Sequence, residues 1–449
     1  MSLEIIILAA GKGSRMRSTL PKVMHEIAGK SMLMHVIETA QQLNPIKIHV
    51  IVGFLRDMLI KEYHHLHVNW IVQEEQLGTG HAVSMALPHI QKENQILILY
   101  GDTPLISTET LTMMLKSSTQ QQTILLTAIQ PNPFGYGRII RNNDNNVIKI
   151  IEEKDLMLEQ KKITEINTGV ILSNAHLLSQ YLPLIKNNNQ QQEYYLTDFI
   201  EMVARDNTLK TLQSQDYMET QGVNDKVQLS TLEKYYQQKQ RHQLMQQGVT
   251  LLHEDSLIIR GNISVGEDVI IDINVILEGR VKIGSHITIG AGSILKDCII
   301  EDNTTIQPYS IIDTATIKQH CTIGPFARIR PETTLHQQVK IGNFVEIKKS
   351  TIQKNSKINH LSYVGDTTMG AEVNIGAGVI TCNYDGKQKH NTTIDNNAFI
   401  GSNSTLIAPI TIKNSATIAA GTVITQDVEE KSLAIARVKQ KNIPRWKKK

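Results

Sequence analysis

Aliphatic residues recur at every sixth position between Val265 and Ile347. After one-residue slips at two places, the full series is Val265, Ile271, Leu277, Ile283, Ile289, Leu295, Ile300, Ile306, Ile312, Ile317, Ile323, Ile329, Leu335, Ile341 and Ile347. The fifth place of the first six units holds small or β-branched residues, namely Val269, Val275, Val281, Ile287, Ser293 and Ile299. Neither a 3.6-residue period nor plain alternation gives this spacing over about fourteen units, so the pattern predicts a parallel β-helix.

Each six-residue unit supplies a short strand and a corner. Three units close one roughly triangular coil, and the first and fifth residues point inward. Each inward Ile, Leu or Val contributes about 1.5–3 kcal/mol of gross burial energy, and no coil can bury its core alone. We expect about eight stacked coils, which form a prism of roughly 40 Å at a strand spacing of about 4.8 Å.

The six-residue period breaks between Thr381 and Thr393. There the stretch TCNYDGKQKHNTT replaces two units, and the pattern resumes at Ile394, Ile400, Leu406, Ile412 and Ile418. Breaks in a solenoid place loops on one face, often the binding face. We therefore expect chemistry in this half of the chain to lie near the 381–393 loop.

The first half of the chain has a different pattern, in which apolar strands alternate with amphipathic helices. A buried strand at 4–10 is followed by a helix at 31–43 and a strand at 46–52; the alternation continues with a helix, then a strand at 70–73, a helix at 82–87 and a strand at 95–99. Such alternation predicts a doubly wound α/β sheet, Rossmann-like and parallel. A long polar helix follows, so we divide the chain into an α/β domain at 1–226, a linker helix at 227–247 and a β-helix domain at 248–449.

Composition narrows the functional classes. The 449 residues are 41% hydrophobic, which is too apolar for disorder, and the net charge of +3 argues against a nucleic-acid surface. Much of that charge lies in the last residues, where Lys447, Lys448 and Lys449 are expected to form a solvated tail. The three cysteines have no CxxC spacing, so no zinc site or disulfide framework is predicted. With no signal segment and no apolar run of about eighteen residues, we expect a soluble, cytoplasmic protein with no membrane partner.

Glycine-rich turns after strands are the first candidate chemistry. The stretch GKGSRMRSTLPK follows the first strand, and its Lys12, Arg15 and Lys22 could neutralise a phosphate held by backbone N–H groups. It is neither a P-loop nor GxGxxG, and about half of such turns are only tight connections. Gly78 and Thr79 lie in a second such turn. Asp102 follows the 95–99 strand, where a carboxylate is placed to hold a metal-bound phosphate, or is simply the first residue of a turn.

The order of motifs resembles a known family along essentially the whole chain. LAAGKGSRM with Pro21-Lys22, QLGTGHA, YGDTPL, GYGRI, EINTG and GVN resemble the sugar-1-phosphate nucleotidyltransferases. IGPFARIRP, GNFVEIKKS, NHLSYVGD, NIGAG, TCNYDGK and IAAGT resemble the acetyltransferase half of the bacterial bifunctional GlmU family. Ser14 replaces the family's usual Thr and Thr103 its usual Val, and neither change removes a side chain that the chemistry needs.

For the first half, the resemblance implies uridylyl transfer from UTP to N-acetylglucosamine-1-phosphate. Asp102 and Asn224 would hold Mg²⁺, while Arg15 and Lys22 would meet the phosphates as catalytic residues. The uracil side would be lined by Leu8, Ala9, Ala10, Gly11, Gln73, Gly78 and Thr79, with Tyr100 and Gly101 in the same nucleotide and sugar wall. The amino sugar would be held by Gly137, Glu152, Asn167, Tyr195 and Thr197.

For the second half, the resemblance implies acetylation of glucosamine-1-phosphate by acetyl-CoA. His360 would be the general base, because the protonated amine must lose a proton before it attacks a thioester. The sugar phosphate would be bound by Arg330, Lys348, Tyr363 and Asn374. Acetyl-CoA would be bound by Ala377, Asn383, Tyr384, Lys389, Ser402, Ala420 and Arg437. The family's β-helix is left-handed and trimeric, and its loop reaches a neighbouring subunit.

The resemblance therefore implies a cytoplasmic homotrimer that makes UDP-N-acetylglucosamine for peptidoglycan and lipid-linked polysaccharide precursors. One alternative is a nucleotidyltransferase with a single activity, whose β-helix only regulates or oligomerises. Another is a scaffold in which the front domain is vestigial. Arg330, Lys348 and His360 argue against the first, and Arg15, Lys22 and Asp102 against the second.

Overall fold

In the computed structural model, residues 2–118, 122–206 and 208–447 are described. Lys448 and Lys449 of the expected tail lie outside this part of the chain. The chain separates into two compact units, residues 1–236 and 237–449, and the division falls within the helix Lys226–Gln246.

The first unit is built on one twisted sheet with helices. Its strands are β1 Leu3–Ala9, β2 Glu26–Ile27, β3 Lys30–Ser31, β4 Lys47–Val52, β5 Asn69–Val72, β6 Gln95–Tyr100, β7 Thr123–Ile129, β8 Arg138–Arg141, β9 Val147–Ile151, β10 Glu165–Asn174 and β11 Leu209–Gln213. Its helices are α1 Met32–Gln42, α2 Arg56–Glu62, α3 Thr79–Ala86, α4 Thr108–Ser117, α5 Ala175–Tyr181, α6 Leu196–Arg205 and α7 Lys226–Gln246. Short 3₁₀ turns include Ser14–Met16 and Lys22–Met24.

The main sheet has the order β11-β7-β10-β6-β1-β4-β5, and the pair β8 and β9 extends from β10. β10 runs antiparallel to both β6 and β7, so the sheet is mixed. The prediction of a wholly parallel sheet, made from the alternation of strands and helices, is wrong for this strand. The reason is local. The chain reaches β10 from the antiparallel pair β8–β9 through a connection with two 3₁₀ turns, and no α-helical crossover lies between them.

Local sequence explains where several helices begin. Ser31, Ser107 and Asn174 precede α1, α4 and α5, and each side chain accepts a hydrogen bond from a backbone N–H of the first turn. Such caps satisfy N–H groups that have no partner inside the helix. In α6, the residues spaced on one face, Leu196, Phe199, Ile200 and Val203, are all buried. Apolar faces of this kind cover the sheet on both sides, where the two main cores of the unit lie.

The second unit is a parallel β-helix of stacked strands. One face is a sheet of strands at Thr250–Leu251, Ile270–Ile271, Thr288–Ile289, Thr305–Ile306, Thr322–Ile323, Lys340–Asn343, Lys357–His360, Asn374–Ile375, Phe399–Ile400, Thr417–Ile418 and Leu433–Ala434. The other two faces share a sheet of strands at Ile258–Val265, Ile276–Ile283, Ile294–Lys296, Ile299–Ile300, Ile311–Asp313, Ala315–Ile317, Arg328–Ile329, Thr333–Leu335, Glu346–Lys348, Thr351–Ile352, Tyr363–Gly365, Thr367–Met369, Ile380–Cys382, Thr392–Ile394, Thr405–Ile407, Ile410–Ile412 and Val423–Ile424.

The strand register confirms three six-residue units per coil. Leu277 pairs with Leu295, and Ile329 pairs with Ile347, so equivalent places lie 18 residues apart. Within the described residues the first face stacks eleven strands, more than the eight coils expected, because the stacking begins before Val265 and continues to Ala434. Ten spacings of about 4.8 Å give about 48 Å.

The expectation for Ile299 is wrong. Its side chain is 41% exposed, whereas Cys298 beside it is buried in the core. The coil is one residue short at this point, because Ile283 pairs with Ile300, 17 residues on. The missing residue moves Cys298 into the inward place and turns Ile299 outward.

The loop after Thr381 was also expected to replace two units, and it does not. Thr381 and Ile394 keep inward, buried places, and both pair with strands of the next coil. Paired residues of neighbouring coils just before the loop are 17 or 18 positions apart in the sequence, but Thr367 pairs with Thr392, which is 25 positions away. The loop is therefore an insertion into a complete coil. It leaves the hydrophobic core unbroken beneath it.

None of the helices in the described part of the chain combines the length and the apolar character that a membrane crossing requires.

Candidate functional sites

The first unit contains a cavity of about 500 Å³ at the carboxyl ends of its parallel strands. β1 ends at Ala9, β6 at Tyr100 and β5 at Val72, and the register of these strands brings their ends to one edge of the sheet. That edge is where open α/β sheets bind ligands. The cavity is lined by Leu8, Ala9, Ala10, Gly11, Lys12, Lys22, Val23, Gln73, Gln76, Gly78, Thr79, Ala82, Tyr100, Asp102 and Glu193. The structure thus brings together all seven residues expected on the uracil side.

Four polar side chains expected at the phosphates lie in one hydrogen-bonded group. The Lys22 ammonium contacts the carboxylate of Asp102, and it also donates to Asn224 Oδ1 at 3.2 Å. Arg15 Nη2 donates to the same Asn224 oxygen at 2.9 Å. The Lys22 and Asp102 side chains are only 14% and 18% exposed, so their charges are partly shielded from water. Two cationic side chains and two side chains with acceptor oxygens therefore meet beside the cavity.

The turn that opens α3 depends on glycine at position 78. Gly78 has φ +110°, and an added Cβ would lie 2.6 Å from the carbonyl oxygen of Tyr194. Backbone hydrogen bonds hold this close approach, since Tyr194 N donates to Leu77 O and Gly80 N donates to Tyr194 O, each at 2.8 Å. The segment at 193–194 thereby clamps the turn that lines the cavity.

Tyr100 lines the wall of the cavity. Its ring lies against the backbone of Gly169, where an added Cβ would come within 2.5 Å of the ring. Burial raises the pKa of Tyr100, and the nearby Glu152 and Asp102 carboxylates raise it further. The hydroxyl is therefore neutral at physiological pH. The next residue, Gly101, donates its N–H to Leu8 O at 2.9 Å and fixes the path of the chain toward Asp102.

The residues expected to hold the amino sugar surround Glu152. Burial raises the pKa of Glu152, a hydrogen bond from Thr197 lowers it, and the surrounding carboxylates of Asp155, Asp198 and Glu193 raise it again. Burial also raises the pKa of Tyr195 to about 12.

Two more of the expected sugar residues meet through the backbone. Asn167 N donates to Gly137 O at 2.8 Å. An added Cβ on Gly137 would lie 3.5 Å from the Glu152 carboxylate. The Glu152 carboxyl group therefore lies in a polar wall that also contains the backbone of Gly137 and Asn167.

Arg138 is a residue whose role the sequence reasoning missed. It is 2% exposed, its Nε donates to Ile163 O at 3.0 Å and its Nη2 lies 2.9 Å from the Glu153 carboxylate. It thereby ties the Gly137 segment to the chain beside Glu152. The available signal was an arginine that opens an apolar strand, since a buried charge must be paired.

In the second unit, five predicted residues lie on one corner of successive coils. The carbonyl oxygens of His360, Ala377 and Ser402 each accept a hydrogen bond from a backbone N–H of the next coil. The three distances are 3.3, 2.7 and 2.8 Å. Arg437 Nη1 donates to Ala420 O at 2.6 Å. Four spacings of about 4.8 Å give a column of about 19 Å from His360 to Arg437. An extended chain-like ligand fits such a column.

His360 is exposed at the lower end of this column. Its Nδ1 lies 3.1 Å from Asn343 Oδ1, on the neighbouring strand of the coil below. An amide oxygen only accepts, so in the neutral ring Nδ1 carries the hydrogen and Nε2 has the lone pair. Nε2 is therefore free to accept a proton.

Cationic side chains gather near the 381–393 loop. Arg330 and Lys348 occupy equivalent places on successive coils, as the residue spacing predicted. Arg330 Nη1 donates to Glu346 Oε1 at 2.7 Å. A hydrogen bond and charge repulsion from Lys348 lower the pKa of Lys389 in the loop. Positive charge from both lysines near the loop favours an anionic ligand there.

The loop itself is held on the coil through Asn383. Its Nδ2 donates to the buried Asp366 carboxylate and lies 3.5 Å from the Tyr363 hydroxyl. Tyr384 is 61% exposed at the tip and pairs with Lys389 across the loop. Tyr363 thus lies with Lys348 and the loop.

Asn374 lies apart from these residues. It sits on the eleven-stranded face, paired with Lys357 and Phe399, whereas Lys348 and Tyr363 belong to the other sheet. It lines a separate polar cavity of about 530 Å³ with His320, Gln338, Lys340, Asn355, Lys357, Glu372 and Val373. Within one chain, the structure does not bring Asn374 to the other expected sugar-phosphate residues.

Comparisons with known proteins give one family match in each of the two units. A family model described as the MobA-like NTP transferase domain matches residues 5–143, and one described as the GMPPB C-terminal domain matches residues 259–335. The Bifunctional protein GlmU of Marinobacter nauticus is 47% identical over 99% of this chain and 98% of its own length. The protein of the same name from Pseudoalteromonas atlantica is 47% identical over 100% of this chain and 99% of its own.

Among solved structures, the inositol-1-phosphate CTP transferase from T. maritima is 16% identical, covers 51% of this chain and 96% of its own, and has a TM-score of 0.40.

Proposed function

This chain belongs to the bifunctional GlmU family, and from that premise we propose how its two units divide the work. It is an enzyme with two transferase activities. Residues 237–449 acetylate glucosamine-1-phosphate with acetyl-CoA, and residues 1–236 transfer UMP from UTP to the product, which gives UDP-N-acetylglucosamine and pyrophosphate. The observation that carries the proposal is that each unit separately gathers its own set of reactive side chains.

In the uridylyl reaction, a phosphate oxygen of N-acetylglucosamine-1-phosphate attacks the α-phosphorus of UTP. The new P–O bond forms as the bond to the bridging oxygen breaks, and pyrophosphate leaves with that electron pair. The protein mainly supplies position and charge neutralisation. Lys22 and Arg15, which meet at Asn224, are the cations available for the phosphates.

Asp102 and Asn224 are the proposed Mg²⁺ ligands. Both offer hard oxygen donors, and both contact the same cationic group of Lys22, so their oxygens already converge on one point. The described residues contain no group of three or more His, Cys, Asp or Glu that could hold a metal alone. Substrate phosphates and water would therefore complete the coordination. A bound Mg²⁺ would neutralise charge on the phosphates.

The sugar would lie between Gly137, Glu152 and Asn167. Glycine leaves room beside the Glu152 carboxyl, and neutral hydrogen-bonding groups suit sugar hydroxyls. Tyr195 and Thr197 complete this wall from the start of α6.

In the acetyl transfer, His360 Nε2 accepts a proton from the substrate amine. The amine nitrogen then bonds to the thioester carbonyl carbon, the carbon–sulfur bond breaks, and CoA leaves as the thiolate, which takes up the second proton that the nitrogen releases as it becomes an amide. Arg330, Lys348 and Lys389 supply positive charge for the sugar phosphate.

The column that runs from His360 to Arg437 is the proposed acetyl-CoA site. Ala377, Ser402 and Ala420 present small side chains within this column of about 19 Å, so an extended chain could lie against the coils. Arg437 at the far end would meet phosphates of the coenzyme. Asn383 and Tyr384 of the loop would border the thioester end.

We propose a homotrimer of left-handed β-helices in the cytoplasm that feeds peptidoglycan and lipid-linked polysaccharide precursors. Asn374 supports assembly, because it lies on a different face from the other sugar-phosphate residues and would reach a site only on another copy. Light scattering measures the mass directly. A monomer would contradict this part of the proposal.

A coupled assay tests the two activities together. Purified protein receives glucosamine-1-phosphate, acetyl-CoA, UTP and Mg²⁺, and UDP-N-acetylglucosamine is measured while each component is omitted in turn. All four should be required. Replacing glucosamine-1-phosphate and acetyl-CoA by N-acetylglucosamine-1-phosphate should restore product. If only that bypass gives product, the chain has a single activity.

A further inference from the structure

The amide of Gln73 can take only one orientation in the cavity wall. Gln73 is 2% exposed, and its Nε2 lies 3.2 Å from the carbonyl oxygen of Gly78. A carbonyl oxygen only accepts hydrogen bonds, so the amide nitrogen must face it and the amide oxygen must point elsewhere. The close contact between Gly78 and Tyr194 holds that carbonyl in place.

His81 uses the other hydrogen of the same amide group. Its Nδ1 lies 2.9 Å from Gln73 Nε2. Because the nitrogen is already identified by Gly78, His81 Nδ1 must be the acceptor, and the histidine is neutral with its hydrogen on Nε2. Both amide hydrogens are then used within the protein. Within the described residues, the hydrogen bonds of the Gln73 side chain are those of Nε2, so Oε1 is left for the cavity that Gln73 lines.

The position of His81 is fixed by structure around it. It lies in the first turns of α3, directly after the clamped turn, and its ring contacts that of Tyr194 with centroids 6.4 Å apart. Gly80 N donates to Tyr194 O from the same helix turn. His81 is therefore a rigid acceptor that cannot easily follow a rotated amide.

We propose that His81 is a positioning residue for base selection, because it holds the Gln73 amide with its oxygen toward the base. This inference rests on the proposed use of UTP. The acceptor Gln73 Oε1 matches the N3–H of uracil, whereas cytosine has an unprotonated N3 that would face the oxygen lone pairs. A site that leaves such polar groups unpaired rejects the wrong ligand strongly.

The experiment compares His81→Leu with His81→Asn. The two side chains have nearly the same shape and both lose the ring contact with Tyr194, but only Asn keeps an acceptor near Nδ1. For each variant, kcat/KM is measured with UTP, dTTP and CTP at saturating N-acetylglucosamine-1-phosphate and Mg²⁺. Thermal unfolding checks that both variants fold.

In His81→Leu, kcat/KM should fall about five- to tenfold for UTP and equally for dTTP, which carries the same N3–H. The value for CTP should stay within twofold of wild type. His81→Asn should keep the wild-type preference for UTP over CTP. Equal losses in both variants, or a parallel loss with CTP, would show that His81 only supports the helix and would overturn the inference. A wild-type enzyme inactive with UTP would instead refute the proposed function.

Discussion

Replacing Gly78 by alanine tests whether the clamped turn controls the nucleotide cavity. The added Cβ would lie 2.6 Å from Tyr194 O and 2.9 Å from Tyr194 N, so the backbone would have to move by about 0.8 Å to reach an ordinary contact. Both are backbone atoms of Tyr194, held by two 2.8 Å hydrogen bonds, and cannot turn aside. Alanine at φ +110° also adds about 1–3 kcal/mol of conformational strain.

A displacement near 1 Å in a binding site costs about a hundredfold in rate. We therefore expect Gly78→Ala to lower kcat/KM for UTP by about a hundredfold. Acetyl transfer should stay within twofold, because its residues belong to the other unit. Pyrophosphate release and CoA release measure the two activities on the same preparation.

The matched control is Gly248→Ala. Gly248 also has a left-handed φ of +94°, but nothing lies within 4 Å of an added Cβ. This variant carries the backbone strain without the collision, so it should lose stability and keep both activities within twofold. A role of the clamped turn is refuted if Gly78→Ala retains more than a third of the wild-type kcat/KM for UTP, or if Gly248→Ala loses as much of this activity as Gly78→Ala does.

Three further predictions concern single side chains. His360→Ala should lower acetyl transfer by at least about a hundredfold, since general bases contribute about 10²–10⁴ in rate, while UTP turnover stays near normal; equal loss of both would indicate misfolding. Ile358→Ala, at a fully buried place in the β-helix, should lower the free energy of unfolding by about 2–5 kcal/mol in urea titrations, and a change below 1 kcal/mol would contradict the packed core. Burial raises the pKa of Glu152 above its ordinary 4.5, so near that pH the folded protein binds more protons than the unfolded one. The folded protein therefore loses stability as the pH rises from 4.5 through the raised pKa of Glu152. Glu152→Gln should remove this loss, so its stability relative to wild type should increase from pH 4.5 upward; a constant difference would refute the assignment.

The residue pattern alone predicted most of the architecture. A six-residue period needs only side-chain size and spacing, because each inward place packs against equivalent places one coil away. The helix limit near Ser31 and the strand limit near Ala9 follow from short stretches of sequence, a cap residue in one case and an apolar run in the other. The resemblance supplied the roles of individual residues. Local and repetitive features could therefore be predicted without coordinates.

Tertiary structure decided what depends on distant contacts. Lys22 meets Asp102 and Asn224 across 80 and 202 positions, a convergence that only the strand register produces. One-residue slips accumulate along the coils, so counting in sixes placed Ile299 inward although Cys298 occupies the core. The same register separates Asn374 from Lys348 and aligns His360 with Arg437. The orientation of the Gln73 amide required the fold as well, because its two partners act only when the turn at Gly78 is closed. A sequence records which groups are present, but the distances that make them a site arise from the packing of the whole chain.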